Sequence, residues 1–220
     1  MPGSMVLTNG GGRSQTDLPG RYQGGITREQ YLFREMATTA RMLQENPDPD
    51  AVLSQIISTN AFGYPTEREL RSIGRACLRR IERLSDDPLL RASLTDLLLN
   101  GISLQRHQVV LYAMARDNRL VSEFLVNVVA EKRRTLDPSL TRLDIVTFLD
   151  NLRGQDDTVA SWSDATLNKI RQVLAKSLEE SGLYDRKAER LVPTLADPEL
   201  SRLMDLNGDS RLIPAFGEVI

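Results

Sequence analysis

Between Thr66 and Leu84 the stretch TERELRSIGRACLRRIERL carries six arginines in nineteen residues. Wound at about 100° per residue, it places Arg68, Arg71, Arg75, Arg79 and Arg83 on one face. Leu70, Ile73, Cys77, Ile81 and Leu84 fall on the opposite face. The segment is therefore expected to be an amphipathic helix with a dry side and an arginine side. Pro65 stands just before Thr66, a tolerated place for proline at a helix start. Thr66 and Glu69 fit a capping box, in which each side chain takes an N–H that the first turn leaves unpaired. Glu67, Glu69 and Glu82 lie mostly off the arginine line, so the stripe is only partly neutralised.

Such a stripe has two readings. One is a solvated helix face. The other is a surface for phosphates, because a guanidinium pairs bidentately with phosphate and stays charged at any working pH. The chain as a whole is not basic: its formal net charge is −2 and its pI is near 5.6. Any nucleic-acid binding must then come from local patches. Five arginines each meeting a phosphate would give a log–log salt slope of roughly −4 to −5. Contacts of this kind hold the backbone more readily than they specify bases.

The 220 residues are 40% hydrophobic and 26% charged, with 5% aromatics, which suits a globular helical protein better than a β-rich one. The single cysteine, Cys77, lies on the dry face and is expected to be a buried structural thiol. The polar, glycine-rich start carries no signal-peptide pattern. No apolar run approaches the roughly 20 residues of a membrane span; LVSEFLVNVVA is too short and holds Glu123. A soluble, cytoplasmic chain is expected.

The expected fold is all-α, a compact multi-helix arrangement. Residues 1–21 read as a disordered tail, 22–101 as an N-terminal helical unit, and 102–220 as a C-terminal helical unit packed against it. In the first unit, helices are expected at about 27–44 and 49–59, with Gly63 as the stop before the arginine helix. A long helix, a short helix, a turn and a third helix is the order of a helix-turn-helix, and equally of any small bundle.

The next helix should close at Gly101, and two more follow with a break near Asp117 and Asn118. The second of these ends in Lys132, Arg133 and Arg134. These cations suit the negative end of a helix dipole and would also suit a second phosphate contact.

In the second unit, LTRLDIVTFLDNLR is expected as a helix opened by Pro138 and Ser139, followed by a short turn of helix. A long helix should then run from the Ser163 cap to the Gly182 stop. Asn168, Lys169, Gln172 and Lys176 lie opposite its apolar stripe, and such side chains can hold phosphates or read base edges. The segment DRKAERLVPTLAD fits a short β-hairpin wing near 184–195, with Arg186, Lys187 and Arg190 in or near its turn; a plain loop fits nearly as well. With the wing, this second unit has a winged helix-turn-helix layout.

Catalytic signals are missing. There is one histidine, His107, in a mostly apolar helix, and no Cys/His metal spacing or nucleotide-binding glycine loop. The pairs Asp86–Asp87 and Asp156–Asp157 stand at helix starts, where carboxylates favour the dipole. The fragment DLNGD, 205–209, lacks the rest of a calcium loop and reads as a turn. No enzyme, cofactor or metal is expected.

Several stretches in order resemble the BrxA family, the small helical component of bacteriophage-exclusion (BREX) phage-defence systems. They are ITREQYLFREMATTARMLQE, YPTERE, VSEFLVNVVAEKRRTLDPSLTRLDIVTFLDNL, WSDATLNKIRQVLAKSLEESGLYD and RLIPAF. The resemblance runs from about Tyr22 to Phe216 and is most specific from Val121 to Asp185. It implies an all-helical, non-enzymatic cytoplasmic protein with helix-turn-helix-like units that bind double-stranded DNA. It also implies a methyltransferase, an ATPase and a phosphatase-like protein of the same defence system as neighbours. Two alternatives stand beside DNA binding: a module for protein–protein interaction within the defence complex, and an RNA-binding adaptor like NusB-type proteins.

Overall fold

The computed structural model describes residues 20–218. Of the expected tail, 1–21, all but Gly20 and Arg21 lies outside them.

A single 3₁₀ turn, Gly24–Thr27, leads into α1, Phe33–Glu45. Then come α2, Pro49–Ser58, the arginine helix α3, Glu67–Glu82, α4, Pro88–Asn100, and α5, Ser103–Asp117. Helix α6, Arg119–Phe124, continues through a π-helical stretch, Leu125–Ala130, into α7, Glu131–Arg134. The C-terminal half holds α8, Arg142–Gln155, α9, Asp157–Ala160, and α10, Asp164–Glu180. After the strands β1, Tyr184–Asp185, and β2, Arg190–Leu191, follow α11, Pro198–Leu206, and α12, Ile213–Phe216. The fold is mainly helical, as expected. The hairpin is present too: β1 and β2 pair antiparallel, Tyr184 opposite Leu191 and Asp185 opposite Arg190.

Side-chain caps set most helix starts. Asp48, Thr66, Asp87, Asn118, Asp156, Ser163 and Asp197 each accept an N–H from the first turn of the helix they precede. Two of these, Asp87 and Asp156, come one from each aspartate pair and place both pairs at helix starts, as expected. Helix α8 departs from expectation. Thr141 and Asp144 cap it reciprocally. Pro138 and Ser139 instead run extended beside the hairpin, where Ser139 bridges Arg190. Helix α1 also starts later than its periodicity suggests, at Phe33 after a left-handed Leu32 with φ 57°. Tyr31 keeps the helical spacing but is buried outside the helix, where its hydroxyl donates to the His107 carbonyl.

Two helix ends are closed by a left-handed residue that a stop signal in the sequence could supply. After α10 it is Gly182, φ 74°, with the N–H of Leu183 reaching back to Leu178 O at 2.9 Å. After α2 the same motif is made by Asn60, φ 49°, with Ala61 N donating to Ile56 O, rather than by Gly63. Asparagine tolerates this region better than most residues.

One contiguous core runs from Tyr22 to Phe216. Helix α5 is its axis: Gln108 to Ala115 are all buried, so this helix is enclosed on every side. A smaller cluster of Val52, Ile56 and Leu70 fixes α2 on α3. Cys77 is fully buried, and burial pushes its thiol up to about 12, which makes it a packing residue. His107 is half-buried and stacked on Phe33, ring centroids 3.9 Å apart.

Two glycines make opposite predictions. Gly182→Ala forces a side chain into a left-handed turn and should cost about 1 kcal/mol. Gly154→Ala, in α8 with open space around it, should gain about 0.5 kcal/mol from helix propensity. Urea denaturation of the two variants checks both signs.

Candidate functional site

The arginine helix is divided between two roles. Its C-terminal half converges on one carboxylate, Asp117, at the end of α5. Arg79 grips Asp117 with Nε and Nη2 at 2.8 and 2.9 Å, and Arg83 Nη1 donates to the same group at 2.8 Å. Arg79 also pairs with Glu29. Arg80 is 1% exposed, with Nε 3.7 Å from Asp117. Its two terminal nitrogens donate to the main-chain carbonyls of Gln30 and Glu29. Burial opposes the charge on Asp117. The Arg79 hydrogen bonds and the charges of Arg79, Arg80 and Arg83 outweigh it, so the carboxyl lies below its usual range.

A second polar knot closes the end of α3. Asn207 Nδ2 donates to the Leu84 carbonyl at 2.7 Å, and Ser85 donates to Asn207 Oδ1 at 2.6 Å. Arg116 ties the Arg83 carbonyl to Asp209, which also accepts from Tyr112. The DLNGD turn is thus a latch on the arginine helix. Sequence reasoning missed Arg80, Asp117 and this latch. For Arg80 a signal existed: it stands seven residues from Ile73 and three from Cys77, on the dry face, where a cation must find buried partners.

The N-terminal half of α3 is different. Arg68 and Arg75 are exposed and have no side-chain partner among the described residues. Arg71 makes only an exposed pair with Glu67, one turn away, of a kind that contributes little. Thr66 Oγ accepts the Glu69 N–H at 3.2 Å, which fixes where this half begins. A groove lined by Arg28, Gln30, Tyr64, Arg68 and Ser72 runs beside it. An adjoining groove shares Arg28, Gln30 and Tyr64 and continues past Arg34 and His107 to Lys176 and Glu180 on α10. Two expected site residues from different halves, Arg68 and Lys176, therefore border one connected surface.

The remaining expected residues sort by partner. Lys132 is held by Asp137 and Asp144, at 2.9 and 3.2 Å. Arg133 is half-buried and donates to the Val192 carbonyl, and Arg134 pairs with Glu131. Lys132 and Arg133 are engaged within the fold, while Arg134, like Arg71, makes only an exposed pair within its own helix. On α10, Asn168, Gln172 and Lys176 are exposed and Lys169 is half-buried, while Arg186 and Lys187 are exposed in the hairpin turn. Among the described residues no group of histidine, cysteine or acidic side chains could hold a metal ion, and no helix is long and apolar enough to cross a membrane.

Asp117→Asn removes the one charge that three arginines share and should destabilise by about 3 kcal/mol, because it leaves Arg80 buried and uncompensated. A carboxyl with a depressed folded pKa stabilises above its unfolded value, near 3.9, and loses that contribution as pH falls through its folded value. Wild type should therefore lose stability steeply below about pH 4. The variant should start lower and fall less, as thermal melts between neutral and acid pH would read.

The BrxA family model matches residues 20–208. A Bacillus cereus (strain H3081.97) protein named BREX protein BrxA is 32% identical over 170 residues, covering 77% of this chain and 82% of its own. A protein of the same name from Escherichia coli O9:H4 (strain HS) is 24% identical, with 83% of each chain covered. Among solved structures, an uncharacterized protein from Magnetospirillum magneticum superposes with a TM-score of 0.72 at 24% identity. The superposition covers 90% of this chain and 98% of that one. The chain, which shares its fold with that crystal structure, belongs to the BrxA family of BREX phage-defence proteins.

Proposed function

We propose that this protein is a non-enzymatic, double-stranded DNA-binding accessory component of a BREX system, gripping the duplex mainly through phosphates. The observation that carries the reading is the free half of α3. An acidic protein keeps Arg68 and Arg75 unpartnered, and Arg71 weakly paired, on one exposed helix face beside Arg28. Exposed arginines on one face of a regular element offer the charge that a phosphate backbone attracts.

The C-terminal half supports the same reading. Its order is α8, α9, three residues at 161–163, α10 and a hairpin, the order of a winged helix-turn-helix. The connection from α2 to α3 spans 59–66 and is longer than a helix-turn-helix turn, so the N-terminal half supports that motif less. Other BREX proteins, including the methyltransferase, ATPase and phosphatase-like components, are the proposed protein partners. Glu35, Glu69 and Glu180 interleave with the cations of the two grooves. That favours a second reading, in which this surface docks a protein of mixed charge.

Fluorescence anisotropy of a short duplex, read at several salt concentrations, tests the proposal. Arg68, Arg71 and Arg75 are changed together to Gln, and Arg79 and Arg83 are kept because Asp117 depends on them. Wild type should bind, and the folded variant should lose roughly three units of log–log salt slope and at least about tenfold in affinity. A variant that binds like wild type sinks the α3 surface. Wild type that binds no duplex gives the lead to protein docking, and preference for structured RNA in competition gives it to the adaptor reading.

A further inference from the structure

Three elements of the C-terminal half meet at a second cluster of cations. Arg142 is the first residue of α8, Arg171 lies mid-way along α10, and Arg186 stands in the turn between β1 and β2. The main-chain N–H of Arg142 reaches a Glu189 carboxylate oxygen at 3.3 Å. The N–H of Leu140 reaches the Glu189 carbonyl at 2.8 Å. These bonds hold the start of α8 against the hairpin turn, while α10 runs into the same hairpin through Gly182.

No carboxylate pairs with the guanidinium groups of this cluster among the described residues. The side chains of Arg142 and Arg186 have no hydrogen-bond or ion-pair partner among the described residues. Arg171 has one long bond, Nη2 to Asn168 Oδ1 at 3.4 Å, and its Nε is buried with no partner. Burial, Arg142 and Arg186 together pull Arg171 below the ordinary arginine value, so the charges that act on it are positive. The nearby acids keep their charge but face other donors than these guanidinium groups. Glu189 faces the Arg142 main chain, Asp185 takes the N–H groups of Lys187 and Ala188, and Asp144 is held by Thr141 and Lys132.

Three like charges brought together at the junction of three elements repel unless an anion sits among them. Arginine forks match the oxygens of a phosphate, and each can offer two parallel donors. The Lys132–Arg133–Arg134 run is as basic in sequence, but Lys132 is held by two carboxylates and Arg133 by a main-chain carbonyl, which leaves only Arg134, in an exposed pair with Glu131. We infer that Arg142, Arg171 and Arg186 form a phosphate-binding site, whose ligand is a backbone phosphate of duplex DNA held where α10 meets the hairpin. The site rests on the DNA-binding reading and extends it to residues off the arginine helix. A phosphate here would bring the duplex against Asn168 and Gln172, the exposed polar residues on either side of Arg171.

The test uses the full chain with Arg142, Arg171 and Arg186 changed together to Gln, beside the single Arg186→Gln variant in the exposed turn. Removing mutual repulsion should leave the melting temperature unchanged or raise it. Duplex affinity should fall at least about tenfold near 0.1 M salt, with the salt slope shallower by roughly one unit per arginine removed. In wild type the Arg171 Nε–H resonance should move on addition of duplex. Wild-type affinity and slope in both variants would overturn this inference and leave the DNA reading standing. A wild type that binds no duplex even at low salt would overturn both. A lowered melting temperature in the triple variant, with normal binding by Arg186→Gln, would make the cluster structural and overturn the site.

Discussion

Asp117 is where α3, α5 and the loop before α1 meet, and the charges there cannot be parted without leaving one of them buried and alone. Arg79 and Arg83 reach it from the rim, and Arg80 lies beneath with almost no exposure. A lone buried guanidinium is costly, so the end of α5 must stay at the end of α3. The same arginines then bind Glu29 and the carbonyls of Glu29 and Gln30. That loop is neither helix nor strand, so its carbonyls have no ladder to enter and need donors from elsewhere. Arg80 supplies two of them, which is why a cation occupies a dry-face position.

This arrangement links the structural half of α3 to the half proposed to bind. The loop fixed by Arg80 carries Arg28 and Gln30, which wall the groove beside Arg68 and the groove that leads to Lys176. Loss of the Asp117 cluster would therefore release one wall of the surface even if the exposed arginines stayed in place. Substitutions at Arg79 or Arg83 mix these effects, since Arg79 holds the loop through Glu29 and both arginines hold Asp117. The division between Arg75 and Arg79 thus separates exposed arginines from arginines held by Asp117, inside a stripe that looks uniform in sequence.

Much of the fold was legible because its signals are local. The Thr66, Asp87, Asp156 and Ser163 caps and the Gly182 stop need only neighbouring residues to act, and each is found where a short-range pattern puts it. Other features depend on distant contacts. Tyr31 keeps a helical spacing yet leaves α1, because its hydroxyl bonds the His107 carbonyl and its neighbours are held by Arg80. Pro138 and Ser139 precede α8 but join the hairpin, which lies some fifty residues further on. The helical wheel separated Arg79 and Arg83 from the apolar residues correctly, but amphipathicity says only that a face is polar. Whether the polar face meets water, a carboxylate or a phosphate is decided by chain segments that the wheel does not contain.

The same limit explains why the basic run at 132–134 and the scattered Arg142, Arg171 and Arg186 exchange their apparent importance. A contiguous run is conspicuous in sequence, yet it ends a helix, where Asp137, Asp144 and Glu131 are close enough to pair with it. The other three are separated by 29 and 15 residues and look like ordinary surface arginines. They become a cluster only because α8 starts against the hairpin turn and α10 leads into it. For an acidic protein that would hold a polyanion, the informative quantity is therefore cation density after pairing is subtracted. By that measure two places stand out, the free half of α3 and the junction of α10 with the hairpin. A duplex is long enough to be gripped at more than one point, and each grip adds its own released counterions to the affinity.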